Sequence, residues 1–195
     1  MIPGVRQIDT PDDSGRGIVV LCGISAVGGL VVGLVTGAFR WCILEANGAR
    51  LSLLEHARNL PGPNWLLPML VVASGAALAR CIVRLVPESA GSGVQDVEAI
   101  WRGEADAPSL AVLPAKFVGG LLAIGSGLAL GREGPTVHMG SVIGSEAARR
   151  FQLRDSDLRI LQAGLGGAGL AVAFNAPLGG ALFVFEEVAR SFRIR

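Results

Sequence analysis

The sequence contains no tyrosine, only 5% aromatic residues and only 17% charged residues, whereas 51% of its residues are hydrophobic. Soluble domains carry about 25% charged residues, so this composition disfavours a soluble globular domain. The formal net charge is +1, and no basic stripe is interleaved with aromatic side chains, so nothing indicates nucleic-acid binding. The composition predicts a membrane protein without a nucleic-acid partner.

Cysteine is also scarce. Cys22, Cys42 and Cys81 are odd in number and lie apart in apolar runs, so we expect neither a disulfide framework nor a metal site. His56 is the only histidine in its polar stretch, and that stretch offers no pattern of further metal-ligating or catalytic residues. The sequence therefore predicts no metal and no organic cofactor.

Two apolar segments are long enough to span a bilayer, Gly17–Leu44 and Trp65–Val86. The first exceeds the roughly 20 residues that a span needs, so we expect it to tilt. The stretch between them, Ala46–Pro63, predicts a polar loop. Residues 1–16 lack a signal-peptide pattern and predict a short N-terminal tail.

The later apolar elements are short and interrupted by glycine and proline. We expect helices at Ser89–Trp101, Leu110–Leu130, Pro135–Phe151, 155–174 and Leu178–Arg195. Capping groups at Asp155-Ser156-Asp157 predict the start of the fourth, and Asn175-Ala176-Pro177 predicts its end. Half-length apolar helices of this kind are typical of broken helices around a buried site in a transporter.

The stretch Gly131-Arg132-Glu133-Gly134-Pro135 places two charges inside this apolar region. An ionisable residue at membrane depth is costly and marks a pathway or a coupling site by default. Pro135 suits the first turn of a helix, and a carboxylate on Glu133 just before that turn can occupy an anion position. The alternative is an ordinary surface turn with solvated Arg and Glu.

Gly91-Ser92-Gly93-Val94-Gln95 has the pattern of a capping box, with Ser92 at the N-cap and Gln95 three residues later. A serine in that position still has a hydroxyl proton to donate, and a helix N-terminus attracts anions. Two more charge groups stay open to a structural interpretation. Glu186-Glu187 is either a solvated acidic pair or a proton relay, and Lys116, Glu98 and Arg132 are candidates for a buried network.

The run from Gly164 to Gly169 fits the dinucleotide-binding pattern G-x-G-x-x-G, with Glu186 about 20 residues later. A dinucleotide site needs a strand before the first glycine, whereas Leu158–Ala163 continues a capped helix. Close helix packing explains these glycines better. A soluble dinucleotide enzyme therefore stays only as a minor alternative, and we predict that the protein is not an enzyme.

Three motifs together resemble the CLC family of chloride channels and chloride/proton exchangers in their order and spacing. They are Gly91-Ser92-Gly93, Gly131–Pro135, and Gly169–Leu178 followed by Phe183–Glu187. The resemblance implies an all-α membrane protein, a CLC-type bundle of tilted, partly broken helices built from two inverted repeats. Residues 17–195 would form the first repeat, with the second absent, and residues 1–16 a cytoplasmic tail.

The resemblance also implies residue roles. Ser92 and the backbone of Gly93 would bind the anion, and the backbone from Gly134 to Val137 would line the outer sites. Glu133 resembles the external gating glutamate, which also carries protons, and Glu187 resembles the internal proton-transfer glutamate. A serine at the position of Ser92 goes with chloride preference in this family.

Two departures bear on activity. Gln95 stands where many members have proline, and the chain stops at Arg195, about where the first repeat ends, without the coordinating tyrosine of the second repeat. The leading hypothesis is a chloride/proton antiporter. The alternatives are a passive chloride channel of the same family and a half-length chain without transport of its own. The implied partners are chloride as ligand, protons, the lipid bilayer and a second copy in a homodimer of the complete form. The implied location is the cell inner or plasma membrane, as a multi-pass protein.

Overall fold

The computed structural model describes residues 15–59 and 62–189, which form α-helices joined by short turns and contain no β-strand. The predicted tail, except for Gly15 and Arg16, and residues 190–195 of the last predicted segment lie outside the described residues. The α-helices are α1 (Gly15–Arg58), α2 (Leu66–Leu85), α3 (Val94–Arg102), α4 (Val112–Ser126), α5 (Glu133–Arg150), α6 (Asp155–Phe174) and α7 (Pro177–Phe183). A 3₁₀ turn covers Pro87–Ser89, and a π-helical turn covers Val184–Ala189.

The first helix is longer than the sequence suggested. The prediction of a polar loop from Ala46 was wrong, because α1 continues as one helix through Arg58. No proline occurs between Gly17 and Pro61, and the stretch after Ala46 is rich in Leu, Ala and Arg, which favour helix. A helix of 44 residues measures about 66 Å, so α1 extends well beyond a bilayer core of about 30 Å even when it tilts.

Helices α1 and α2 expose apolar side chains on most of their surface. Leu30 and Leu34 of α1 are each 66% exposed, and Leu78 of α2 is 53% exposed. The buried side of α1 is a narrow stripe that includes Val32, Thr36 and Phe39. Both helices are long and apolar enough to cross a membrane, as their segments predicted.

The boundaries of α6 and the start of α7 agree closely with the sequence, whereas α3 begins at Val94 rather than Ser89 and α4 ends at Ser126 rather than Leu130. Helix α6 begins at Asp155 and ends at Phe174, and Asn175 follows in the left-handed conformation with φ 55°. Pro177 then opens α7 at its first position. Helix α5 begins at Glu133 rather than at Pro135, so Glu133 belongs to the first turn instead of preceding it.

Helices α5 and α6 pack so closely that glycine is required at their contact. A Cβ built on Gly140 would overlap the carbonyl oxygen of Leu165, and one built on Gly169 would overlap the carbonyl oxygen of Thr136. A Cβ on Gly144 would stand 2.6 Å from the carbonyl oxygen of Leu161. The Gly164–Gly169 run lies inside α6, and no strand precedes it in the described chain. Its interpretation as helix packing is confirmed at Gly167 and Gly169, where a Cβ would overlap a neighbouring element, whereas a Cβ on Gly164 would meet nothing within 4 Å.

A small apolar core joins the short helices beneath the candidate site. Val97 of α3, Val137 of α5, Ala163 of α6 and Val188 of the π-helical turn are all buried and pack in one cluster. The cluster fixes the start of α3 relative to the start of α5. The two helix N-termini that carry the candidate site residues are therefore held by the same core.

Candidate anion site

The loop before α3 presents Ser92 between two glycines with left-handed backbones. Gly91 has φ 65° and Gly93 has φ 88°, a region that non-glycine residues rarely adopt. Gly93 has a second reason to be glycine, because a Cβ there would overlap the ring of the buried His138. The chain thus turns sharply at Gly93 and leaves Ser92 exposed on the outer side of the loop.

The prediction of a capping box at Ser92 and Gln95 was wrong. The N-cap residue of α3 is Gly93, and no side-chain hydrogen bond caps this helix in the described structure. Sequence spacing missed this because the left-handed Gly93 inserts a turn between Ser92 and the helix. The Ser92 hydroxyl is therefore not committed to the first turn of α3.

Ser92 instead lies against the first turn of α5. A Cβ built on Gly134 would stand 2.5 Å from Ser92 Oγ and 2.7 Å from the Ser92 carbonyl oxygen. Any side chain larger than hydrogen at position 134 would therefore displace Ser92. Ser92 and Gly134 are 42 positions apart in the sequence, and each belongs to one of the two candidate motifs. The structure brings them into contact.

Glu133 occupies the first turn of α5, where the helix dipole favours a negative charge. Its carboxylate folds back over Gly131, because a Cβ built on Gly131 would overlap Glu133 Oε2. The hydroxyl of Thr136 donates to the Glu133 carbonyl at 2.8 Å and steadies this turn. The carboxylate thus stands at the helix terminus rather than in open solvent, and Glu133 is only partly exposed.

A cavity of about 800 Å³ connects these features. Ser92, Glu133, Gly134 and Pro135 line one part of it, and Leu170, Phe174 and Phe183 give it an apolar side. Helices α3 and α5 both begin at this cavity. The unpaired N–H groups of their first turns and the positive ends of their dipoles favour an anion there. The cavity is chemically suited to a small anion that a hydroxyl and backbone amides hold.

Lys116 fixes the loop that carries Ser92. Only 4% of this side chain is exposed, and its Nζ donates to three successive carbonyl oxygens, those of Ser89 at 3.0 Å, Ala90 at 3.3 Å and Gly91 at 2.7 Å. Three donors on an ammonium group match three acceptors. The sequence made Lys116 a candidate for a network with Glu98 and Arg132 and did not predict this role. The signal was present, since Lys116 is the only lysine in the sequence and lies in an apolar helix.

The other members of the proposed charged network have different surroundings. Glu98 forms an ion pair with Arg102 at 3.2 Å, one turn further along α3. Arg132 is the partly exposed N-cap residue of α5. Lys116 therefore bonds to the loop carbonyl oxygens, and Glu98 pairs with a residue of its own helix, Arg102.

The remaining predicted site residues lie apart from the cavity. Gly93 is buried behind the loop, and Val137 is fully buried in the core. Glu186 and Glu187 are exposed on the π-helical turn, four residues or fewer beyond the cavity-lining Phe183. The anion-binding role of Ser92, Gly93, Glu133 and Gly134 and the proton-transfer role of Glu187 stay predictions.

Comparison with known proteins decides the family. The family described as voltage gated chloride channel matches residues 75–195. The chain belongs to this family. The chain is 40% identical over 173 residues to the H(+)/Cl(-) exchange transporter ClcA of Vibrio cholerae, covering 87% of this chain and 37% of that protein. It is 36% identical over 190 residues to ClcA of Cronobacter sakazakii, covering 96% of this chain and 40% of that protein.

Solved structures agree with this assignment and with the all-α membrane fold that the sequence predicted. A slow cyanobacterial Cl-/H+ antiporter superposes with a TM-score of 0.82 at 34% identity, covering 86% of this chain and 40% of that one. A eukaryotic CLC transporter superposes with a TM-score of 0.71 at 27% identity, covering 91% of this chain and 35% of that one. The chain is therefore a CLC-family membrane protein and not an enzyme, and it spans about two fifths of the length of its curated relatives.

Proposed function

We propose that this chain supplies one side of a chloride pathway and serves chloride/proton antiport. The observation that carries the proposal is the meeting of Ser92 with Gly134 at one cavity, where the N-termini of α3 and α5 both end. The names of the curated relatives, which are H(+)/Cl(-) exchange transporters, support the choice of substrate and of coupling.

The chemistry suits an anion that must also leave. Ser92 offers one hydroxyl donor, and the two first turns offer backbone amides and partial positive charge. The full charge of Lys116 is turned toward loop carbonyls, so it strengthens the loop rather than neutralising the anion directly. Conduction needs a site that is favourable enough to enter and weak enough to leave, and dipoles without a contacting cation meet that need.

Glu133 serves as the gate and as a proton carrier in this proposal. Its carboxylate lies in the first turn of α5, beside the place that an anion would take. Protonation removes its attraction to the helix dipole, so the side chain leaves and an anion replaces it. Glu187 passes protons from the other side, through the segment that follows the cavity-lining Phe183.

Two other functions stay as alternatives. A passive chloride channel needs the same anion site without strict proton coupling. In the other alternative the chain folds but transports nothing by itself, because further segments are needed to close the pathway. The chain spans about two fifths of the length of its relatives, which is the reason to test this alternative directly. We also propose that the complete form is a homodimer and a multi-pass protein of the inner or plasma membrane.

The test is chloride efflux from liposomes that contain the purified chain, with external pH recorded at the same time. Antiport predicts chloride efflux that drives protons in the opposite direction. Glu133→Gln should abolish proton movement and leave chloride flux, because the amide cannot release a proton. Glu146→Gln is the matched control, since Glu146 lies on the same helix, outside the cavity and beside Arg149 at 3.7 Å.

The outcomes separate the hypotheses. A reversal potential that ignores the pH gradient indicates a channel, and no flux from the folded chain indicates the transport-inactive alternative. Glu187→Gln should stop protons while chloride still passes. Unchanged proton flux in Glu133→Gln contradicts the gating role even if chloride is transported.

A further inference from the structure

His138 is a buried polar residue that the proposed transport mechanism does not use. It lies on α5, one turn after Gly134, and only 1% of the side chain is exposed. Its Nδ1 atom has no hydrogen-bond partner among the described residues. A buried polar atom without a partner destabilises the folded state, so this nitrogen calls for a ligand.

Nδ1 lies directly at the N-terminus of α3. A Cβ built on Gly93, the N-cap residue, would stand 2.5 Å from this atom. Helix α3 has nine residues, and no side chain caps it in the described part of the chain. The start of α3 therefore packs directly against the ring of His138, and Ser92, one residue before Gly93, lines the cavity.

A water molecule matches both sets of groups. Buried waters bind polar groups that the protein leaves unsatisfied, and each makes two to four hydrogen bonds. A neutral imidazole has one donor nitrogen and one acceptor nitrogen. A water bound beside Nδ1 would donate to it and accept from a first-turn N–H of α3, so that one molecule would satisfy the nitrogen and one helix donor together.

We infer that His138 is a positioning residue for the loop Gly91–Gly93, acting through one buried water held between its Nδ1 and the N-terminus of α3. Lys116 holds the same loop by its carbonyl oxygens, so the two side chains restrain it from both ends. The water keeps Gly93 in its left-handed conformation and thereby keeps Ser92 beside Gly134. Only the consequence for chloride affinity rests on the proposed function.

The sequence makes the first test direct, because it contains only two histidines. His56 is exposed in the last turn of α1, so His56→Gln leaves His138 as the single histidine. Nitrogen-15 NMR of this variant in lipid nanodiscs should show an unprotonated, hydrogen-bonded Nδ1 with magnetisation transfer from water. A protonated Nδ1, or an Nδ1 without contact to water, overturns the inference, and this readout needs no transport.

Two substitutions test the positioning role. Asn places Oδ1 where the histidine has Nδ1 and still accepts a hydrogen bond, whereas Leu has similar bulk and accepts none. His138→Leu should speed hydrogen exchange of the amides of residues 92–96 by about tenfold, the factor that corresponds to about 1.4 kcal/mol, and His138→Asn should stay close to the parent. Equal exchange in the Leu and Asn variants contradicts the role of Nδ1.

Chloride titration of the same proteins separates this inference from the proposed function. If the parent binds chloride, His138→Leu should weaken binding by about tenfold and His138→Asn should preserve it, on the same conversion. If the parent binds no chloride, the proposed function fails, while the NMR and exchange results still decide the role of His138. Should His138→Leu not fold, the NMR spectrum of the histidine in the His56→Gln variant decides alone.

Discussion

Helices α1 and α2 differ from α5 and α6 in what surrounds them. In α2 only Gly75 is buried, and most of the helix surface is apolar and exposed. In α5, by contrast, ten of eighteen residues are buried, among them His138, Ser141 and Ser145. Helices α1 and α2 expose bulky apolar side chains, whereas α5 and α6 meet one another through glycine and bury polar groups between them.

The difference reflects two kinds of force. Apolar side chains in lipid gain little by contacting other apolar side chains, so hydrophobicity alone does not hold membrane helices together. Close backbone approach and interhelical hydrogen bonds do, and the contact between α5 and α6 contains both. The same contact holds the first turn of α5, with Glu133, at the cavity. Precision at the candidate site therefore depends on α5 and α6.

The strongest way to break this contrast is to add one methyl group at a glycine of each region. Gly140→Ala on α5 places a Cβ on the carbonyl oxygen of Leu165, so it should lower the free energy of unfolding by about 3 kcal/mol, the upper part of the range for overpacking. Gly33→Ala on α1 is the matched control, since a Cβ there meets nothing within 4 Å. Thermal unfolding in detergent measures both, and equal stability of the two variants would refute the contrast.

A smaller loss is expected from Lys116→Met, which keeps the length of the side chain and removes its three donated hydrogen bonds. Hydrogen bonds to a charged group contribute about 1.5–3 kcal/mol, and we expect a loss of about 2 kcal/mol because water then reaches some of the carbonyls. Hydrogen exchange in residues 89–93 should rise while exchange in α2 stays unchanged.

Lys116 also provides a chemical readout of the parent protein. It is the only lysine in the sequence and is 4% exposed, so an amine-reactive reagent should modify it only when the loop opens. Rapid modification of the folded protein would contradict the buried position. Modification that accelerates together with unfolding would support it.

The contrast also explains how far sequence reasoning reached. The length and hydropathy of the segment were sufficient to predict the bounds of α2. The acidic residues at Asp155 and Asp157 predicted the start of α6, and Asn175 predicted its end. The capping-box prediction at Ser92 was wrong, because the sequence pattern assumes a regular helix start and does not reveal that Gly93 is left-handed. The partners of Lys116 are backbone carbonyls 25 to 27 residues away, which no side-chain motif encodes.

The smallest expected effect sharpens the contrast inside the α5–α6 contact. Gln162 of α6 donates to Ser141 Oγ of α5 at 2.9 Å, and both residues are fully buried. Ser141→Ala alone leaves the Gln162 amide without this acceptor and should cost about 1–2 kcal/mol, whereas Ser141→Ala with Gln162→Leu removes both polar partners and should be nearly neutral. Unfolding in detergent of the parent, both single variants and the double variant gives the coupling energy. A double variant as unstable as the sum of the single variants would mean that glycine packing, rather than this hydrogen bond, sets the register of α5 on α6 and so the position of Glu133.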